Sequence, residues 1–126
     1  MTVFKYLILA LVLLGAEGLS SVALAERFLL MAERPGCTWC ERFNKEFAAI
    51  YPKTVEGVAA PLVRYDITQG KAPASLVSAL HFTPTFILIE DGIEIGRIEG
   101  YPGDNFFWSL LSNMLENSDN KLYQIK

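Results

Sequence analysis

The stretch Arg34-Pro35-Gly36-Cys37-Thr38-Trp39-Cys40-Glu41-Arg42-Phe43 governs how the rest of the chain is read. Pro35 and Gly36 are turn formers that end the apolar run Arg27–Ala32, a run suited to a buried strand. Beyond them Trp39, Phe43, Phe47 and Ile50 recur every three or four residues, among Glu41, Arg42, Lys45 and Glu46. That spacing predicts an amphipathic helix over Thr38–Ile50, with Cys37 at its amino-terminal edge. Both cysteines then lie just past the carboxyl end of a strand, where open α/β sheets hold their sites.

Working outward, Tyr51–Ala60 reads as a connector with a short helical turn, Leu62–Ile67 as a second strand and Pro73–Leu80 as a short helix. Thr83-Pro84-Thr85 punctuates the chain before a third strand, Phe86–Glu90. Asp91-Gly92 signals a hairpin into Ile93–Glu99, where isoleucines alternate imperfectly with polar residues. Gly100–Gly103 turns the chain, and Asp104 can cap a last helix to about Asn117, with Phe107, Leu110, Leu111, Met114 and Leu115 on one face. Alternation at the start implies parallel strands joined by crossovers, and the hairpin adds an antiparallel strand. The expected fold is α/β: a central four-stranded mixed sheet with helices on both faces.

The 126 residues carry a net charge of −3, with acids and bases scattered and no basic cluster, which gives no sign of nucleic acid as a partner. Lys5 precedes the apolar run Tyr6–Leu14, and Ala23-Leu24-Ala25 offers a small-residue exit. This is the pattern of a secretory signal over 1–25, cleaved after Ala25, and the run is short of the roughly 18 apolar residues of a spanning helix. Retention as a membrane anchor is the alternative. The domain then occupies 26–126 and lies outside the cytoplasm.

Both cysteines fall in that domain, three positions apart. A structural staple constrains the unfolded chain most when it closes a long loop, so a ring enclosing only Thr38 and Trp39 favours reactivity. A structural zinc needs four ligands. The chain offers two cysteines and one histidine, His81, so no metal is expected and the cofactor is the cysteine pair itself. At a helix start, unpaired N–H groups and the helix dipole stabilise a thiolate and lower the Cys37 pKa from the free value near ~8.5. Cys37 is therefore the nucleophile and Cys40, one turn inward, the resolving thiol. Thr38 and Trp39 add no positive charge, which favours a moderate or reducing potential. Trp39 has two placements open to it, the helix core or the rim of the site. A non-catalytic binding module and a disulfide oxidase or isomerase remain the other readings.

With these elements placed, the strand, the Cys37–Cys40 motif opening a helix, and Thr83-Pro84 before a strand and hairpin resemble the thioredoxin superfamily over Glu26–Asn117. The resemblance implies a cis Pro84 facing the cysteines, with Thr83 and Pro84 forming part of a groove for a protein disulfide substrate. Gly36–Cys40, Tyr51–Thr54, Phe82–Phe86 and Gly96–Gly103 are more narrowly similar to short periplasmic thioredoxins of the SoxS-like type, which accompany bacterial sulfur oxidation. That likeness implies a reductase that keeps a partner's cysteine usable and is recharged by a membrane thiol-electron donor. No spare segment suggests a dimerisation unit, so a monomer is expected. Three positions depart from the pattern, the first being Gly36, which stands where thioredoxins keep a tryptophan just before the motif. Met31 stands where thioredoxins keep a buried acid that deprotonates the second cysteine, and Lys45 stands where they keep a helix-kinking proline. Glu33 is then the nearby candidate for proton transfer, alongside water.

Overall fold

The computed structural model describes residues 26–124; the expected export segment, 1–25, lies outside the described residues. The elements run β1 (Arg27–Glu33), α1 (Thr38–Phe47), a 3-10 turn (Tyr51–Lys53), α2 (Val55–Ala59), β2 (Leu62–Asp66), β3 (Thr85–Glu90), β4 (Ile93–Glu99) and α3 (Asp104–Gln124). The sheet order is β2-β1-β3-β4, with β1 and β2 parallel and the other pairs antiparallel. The expected mixed four-stranded sheet is therefore present.

The alternating pleat of β1 and β3 supplies two cores. Leu29, Met31, Phe86 and Leu88 face one side, where Phe43 and Phe47 of α1 and Phe107, Leu111 and Leu115 of α3 cover them. Phe43 is the hub, with ring centroids 4.7 Å from Phe86 and 5.1 Å from Phe107 in tilted or edge-on contact. Leu30, Ala32, Ile87 and Ile89 face the other side. There the expected helix over Pro73–Leu80 does not form. The segment is irregular, and Tyr65, Ile67, Ala74, Leu76 and Leu80 supply the cover. Among the described residues, the helices that contribute to these cores pack on one face of the sheet only.

The reason lies in where the backbone groups of that segment are satisfied. Ser75 pairs with β4 as an isolated bridge, its N–H donating to the Gly92 carbonyl and its own carbonyl accepting from Glu94 N–H. The Val77 N–H donates to the Glu94 carboxylate at 2.8 Å, and the Ser78 and Ala79 carbonyls accept from the Arg97 guanidinium at 3.1 and 3.2 Å. Two side chains of β4 take the partners that a helix would have found within itself.

Boundaries differ elsewhere in instructive ways. The first helix stops at Phe47, three residues before the apolar spacing gives out, because Ile50 and Tyr51 enter the 3-10 turn. Thr54 then caps α2, its hydroxyl accepting from Gly57 N–H at 2.9 Å. Gly57 allows this close return: a Cβ there would stand 1.8 Å from the Tyr51 carbonyl oxygen. The last helix runs on to Gln124, past the apolar face that predicted its end near Asn117; Ser118 is buried there and bonds both Arg27 and Glu90.

Candidate active site

Gly36, with φ +74, sits where L side chains are strained and lets the chain turn from β1 into α1. That turn makes Cys37 the cap residue of α1. Its Sγ accepts from the Cys40 N–H at 3.2 Å, the position a serine or aspartate oxygen takes at other helix starts. A disulfide joins Cys37 to Cys40, with Cα atoms 5.2 Å apart. Residue exposure falls from 8% at Cys37 to 2% at Cys40, so the first cysteine is the more exposed of the two. When the bond is reduced, the same N–H and the positive end of the helix dipole are in place to stabilise a Cys37 thiolate.

Thr83 and Pro84 meet the cysteines from the far side. The Thr83 carbonyl oxygen lies 3.3 Å from Cys37 Sγ, and the Thr83–Pro84 peptide bond is cis. Thr85, fully buried at the start of β3, donates its hydroxyl to the Phe82 carbonyl and ties the loop down at 2.7 Å. Trp39 is 54% exposed, which places it on the rim and not in the helix core. The Arg42 guanidinium sits over its ring at 5.6 Å from the centroid.

Arg42 belongs to a chain of contacts that sequence spacing did not disclose. It pairs with Glu46 at 3.0 Å, and Glu46 in turn accepts from the Tyr101 hydroxyl at 2.7 Å. The Tyr101 and Arg42 hydrogen bonds hold the Glu46 carboxyl below its ordinary value, while burial and that same bond push the Tyr101 hydroxyl up. Tyr101 carries this information across from the β4–α3 turn, so no local pattern in the helix could have announced it.

Glu33 and Cys40 line one cleft of about 290 Å³, together with Asn44, Arg64 and Asp66. The Glu33 carboxylate holds Arg64 by two bonds, at 2.6 and 2.8 Å, and accepts from Asn44 Nδ2 at 3.3 Å. Met31 is fully buried among apolar neighbours, and His81 is exposed. A wider groove of about 820 Å³ lies between β4 and α3, along Ile93, Ile95, Leu110 and Met114. It touches neither cysteine, whereas the smaller cleft reaches Cys40 and Cys37 faces the Thr83 carbonyl.

A family model described as a thioredoxin-like domain matches residues 22–115, and the chain belongs to that family. Its Cys37–Cys40 disulfide at this position makes it a thiol–disulfide oxidoreductase. Among solved structures it is similar to the periplasmic thioredoxin SoxS from Paracoccus pantotrophus in the reduced form. The identity is 44%, the match covers 74% of this chain and 99% of that one, and the TM-score is 0.71. A comparison with curated proteins finds no match.

Proposed function

We propose that the chain is a periplasmic reductase of protein disulfides. The single observation that carries this reading is the Cys37 sulfur held at the start of α1, 3.3 Å from the Thr83 carbonyl across the groove. The Cys37 thiolate attacks one sulfur of the partner's disulfide, that bond breaks, and the partner's first thiolate leaves. Cys40 then loses its proton and attacks Cys37 Sγ, releasing the second partner thiolate and restoring the Cys37–Cys40 disulfide. Two electrons pass to the partner, and an outside thiol pair returns them; a membrane thiol donor is the proposed source.

Substrate chain runs between Trp39 and the Thr83-Pro84 loop, with the exposed indole as its apolar contact. Reduction is favoured over oxidation because neither residue inside the ring is cationic, and the nearest cation on the helix, Arg42, is already paired with Glu46. The likeness to a periplasmic thioredoxin supports export, with residues 1–25 as a signal removed after Ala25, and the proposed domain acts as a monomer. The proposed physiological partner is a cysteine-bearing protein of a sulfur-oxidation system. The reduction potential tests the direction: a value well below about −200 mV agrees with a reductase, and one near about −120 mV, that of a strong oxidant, overturns it.

A further inference from the structure

Asn44 has a side-chain oxygen for which the oxidised protein provides no partner. Its Oδ1 is covered, out of reach of solvent, and accepts no hydrogen bond. The orientation of the amide is fixed by its neighbour. Glu33, paired at two points with Arg64, can only accept, so Asn44 must turn its Nδ2 towards it at 3.3 Å and its Oδ1 away. Asn44 follows Cys40 by four residues within α1, so the two side chains share one helix face a turn apart. Both line the same cleft of about 290 Å³.

In the disulfide, Cys40 Sγ carries no proton. Reduction adds one electron and one proton to each sulfur and gives Cys40 a thiol S–H, a new donor one turn of α1 from a buried acceptor that has none. We propose that Asn44 is a positioning residue for the resolving cysteine: its Oδ1 accepts the Cys40 S–H in the dithiol form, and the Glu33–Arg64 pair holds the amide for that purpose. The bond exists in one redox state only. It therefore stabilises the dithiol against the disulfide and holds the Cys40 proton at the cleft, where it departs to water when Cys40 attacks Cys37. This assignment rests on the oxidoreductase reading, yet its test does not depend on finding a substrate.

The test is the equilibrium constant of the Cys37–Cys40 couple against glutathione, for the full chain and its Asn44→Ala variant. A thiol is a weak donor, so the effect lies at the lower end for an unpartnered buried acceptor. The variant's equilibrium is expected to move about tenfold towards the disulfide, equivalent to about 30 mV. Denaturant unfolding of both forms closes the cycle, with the dithiol of Asn44→Ala losing more stability than its disulfide. Equal losses in the two forms, with an unmoved constant, would show a purely structural role and overturn the proposal. In the wild type, independent of any variant's folding, the Asn44 side-chain carbonyl resonance is expected to shift on reduction, and in Cys40→Ala, which has no donor at that position, to keep the place it has in the oxidised protein. Failure of the wild type to reduce insulin disulfides would sink the reductase reading and leave the Asn44 result standing.

Discussion

Glu94 and Arg97 lie three residues apart on β4, yet both point to the same face of the sheet. In a regular strand an odd separation sends two side chains to opposite faces. Here Leu88 pairs with Gly96 and Ile89 with Glu94, so Ile95 is an extra residue and the pleat changes phase there. The bulge brings the Arg97 guanidinium to 2.6 Å from a Glu94 carboxylate that is 2% exposed. Between them they hold the backbone of Val77, Ser78 and Ala79, the segment that leads to Thr83 and Pro84.

Removing the carboxylate takes from a largely buried guanidinium its closest partner, leaving only Glu99 at 3.4 Å as a counter-charge, and frees the Val77 amide. Glu94→Ala is expected to cost about 3 kcal/mol in denaturant unfolding. Burial pushes the Glu94 carboxyl up, but the Arg97 hydrogen bonds, the Val77 amide and the Arg97 charge together hold it below its ordinary value. The unfolded chain then takes up a proton at this group more readily than the folded one. Its stabilisation is complete above the ordinary carboxylate range and is lost below about pH 4, as pH falls through the folded value. The gap between wild type and variant should narrow over that acid range; a gap independent of pH would contradict the ion-pair account.

Gly57→Ala tests the close return of α2 onto the Tyr51 carbonyl. The added carbon meets backbone, not a flexible side chain, so the 3-10 turn has to move. A loss of roughly 1–3 kcal/mol is expected in thermal or denaturant unfolding, with the thiol chemistry of the remaining folded protein unchanged.

The two cysteines should separate cleanly by role. Cys40→Ser keeps the attacking thiol and loses resolution, so mixed disulfides with partner proteins accumulate and are released by reductant. Cys37→Ser should trap none and reduce no insulin. Equal trapping by both variants would remove the assignment of attacking and resolving sulfur.

Trp39→Ala removes an exposed ring and the stacking surface for Arg42, and its stability should change by no more than about 0.5 kcal/mol. Its KM for a protein disulfide should rise several-fold, while its rate with a small-molecule disulfide holds. An unchanged KM would exclude the indole from the substrate rim.

Much of this was open to reading from the residues. Gly36 and the spacing of Phe43 and Phe47 located the helix start at Cys37, and Asp91-Gly92 located the hairpin. The helix expected over Pro73–Leu80 failed because its backbone partners, Glu94 and Arg97, come from a strand some seventeen residues later in the chain. The uneven alternation of Ile93, Ile95 and Ile98 was visible, but its cause, a bulge that re-aims two charged residues, depends on pairing with β3. Asn44 gave a weaker sign, a polar residue one turn after Cys40 and on its face. Only the Glu33–Arg64 pair, joined across neighbouring strands, gives it an orientation.

The one-sided placement of the packed helices gives the two walls of the active site unequal cooperativity. The cysteines sit on α1, locked to the aromatic core, whereas residues 68–82 are irregular, tied by the bridge at Ser75, the grip of Glu94 and Arg97 and the packing of Ala74, Leu76 and Leu80. Such a segment forms its own opening unit. Its amides should exchange with solvent hydrogen through sub-global opening, while those of β1 and β3 wait for global unfolding. The segment that leads to Thr83 and Pro84 can then open while the Cys37–Cys40 pair stays fixed on α1.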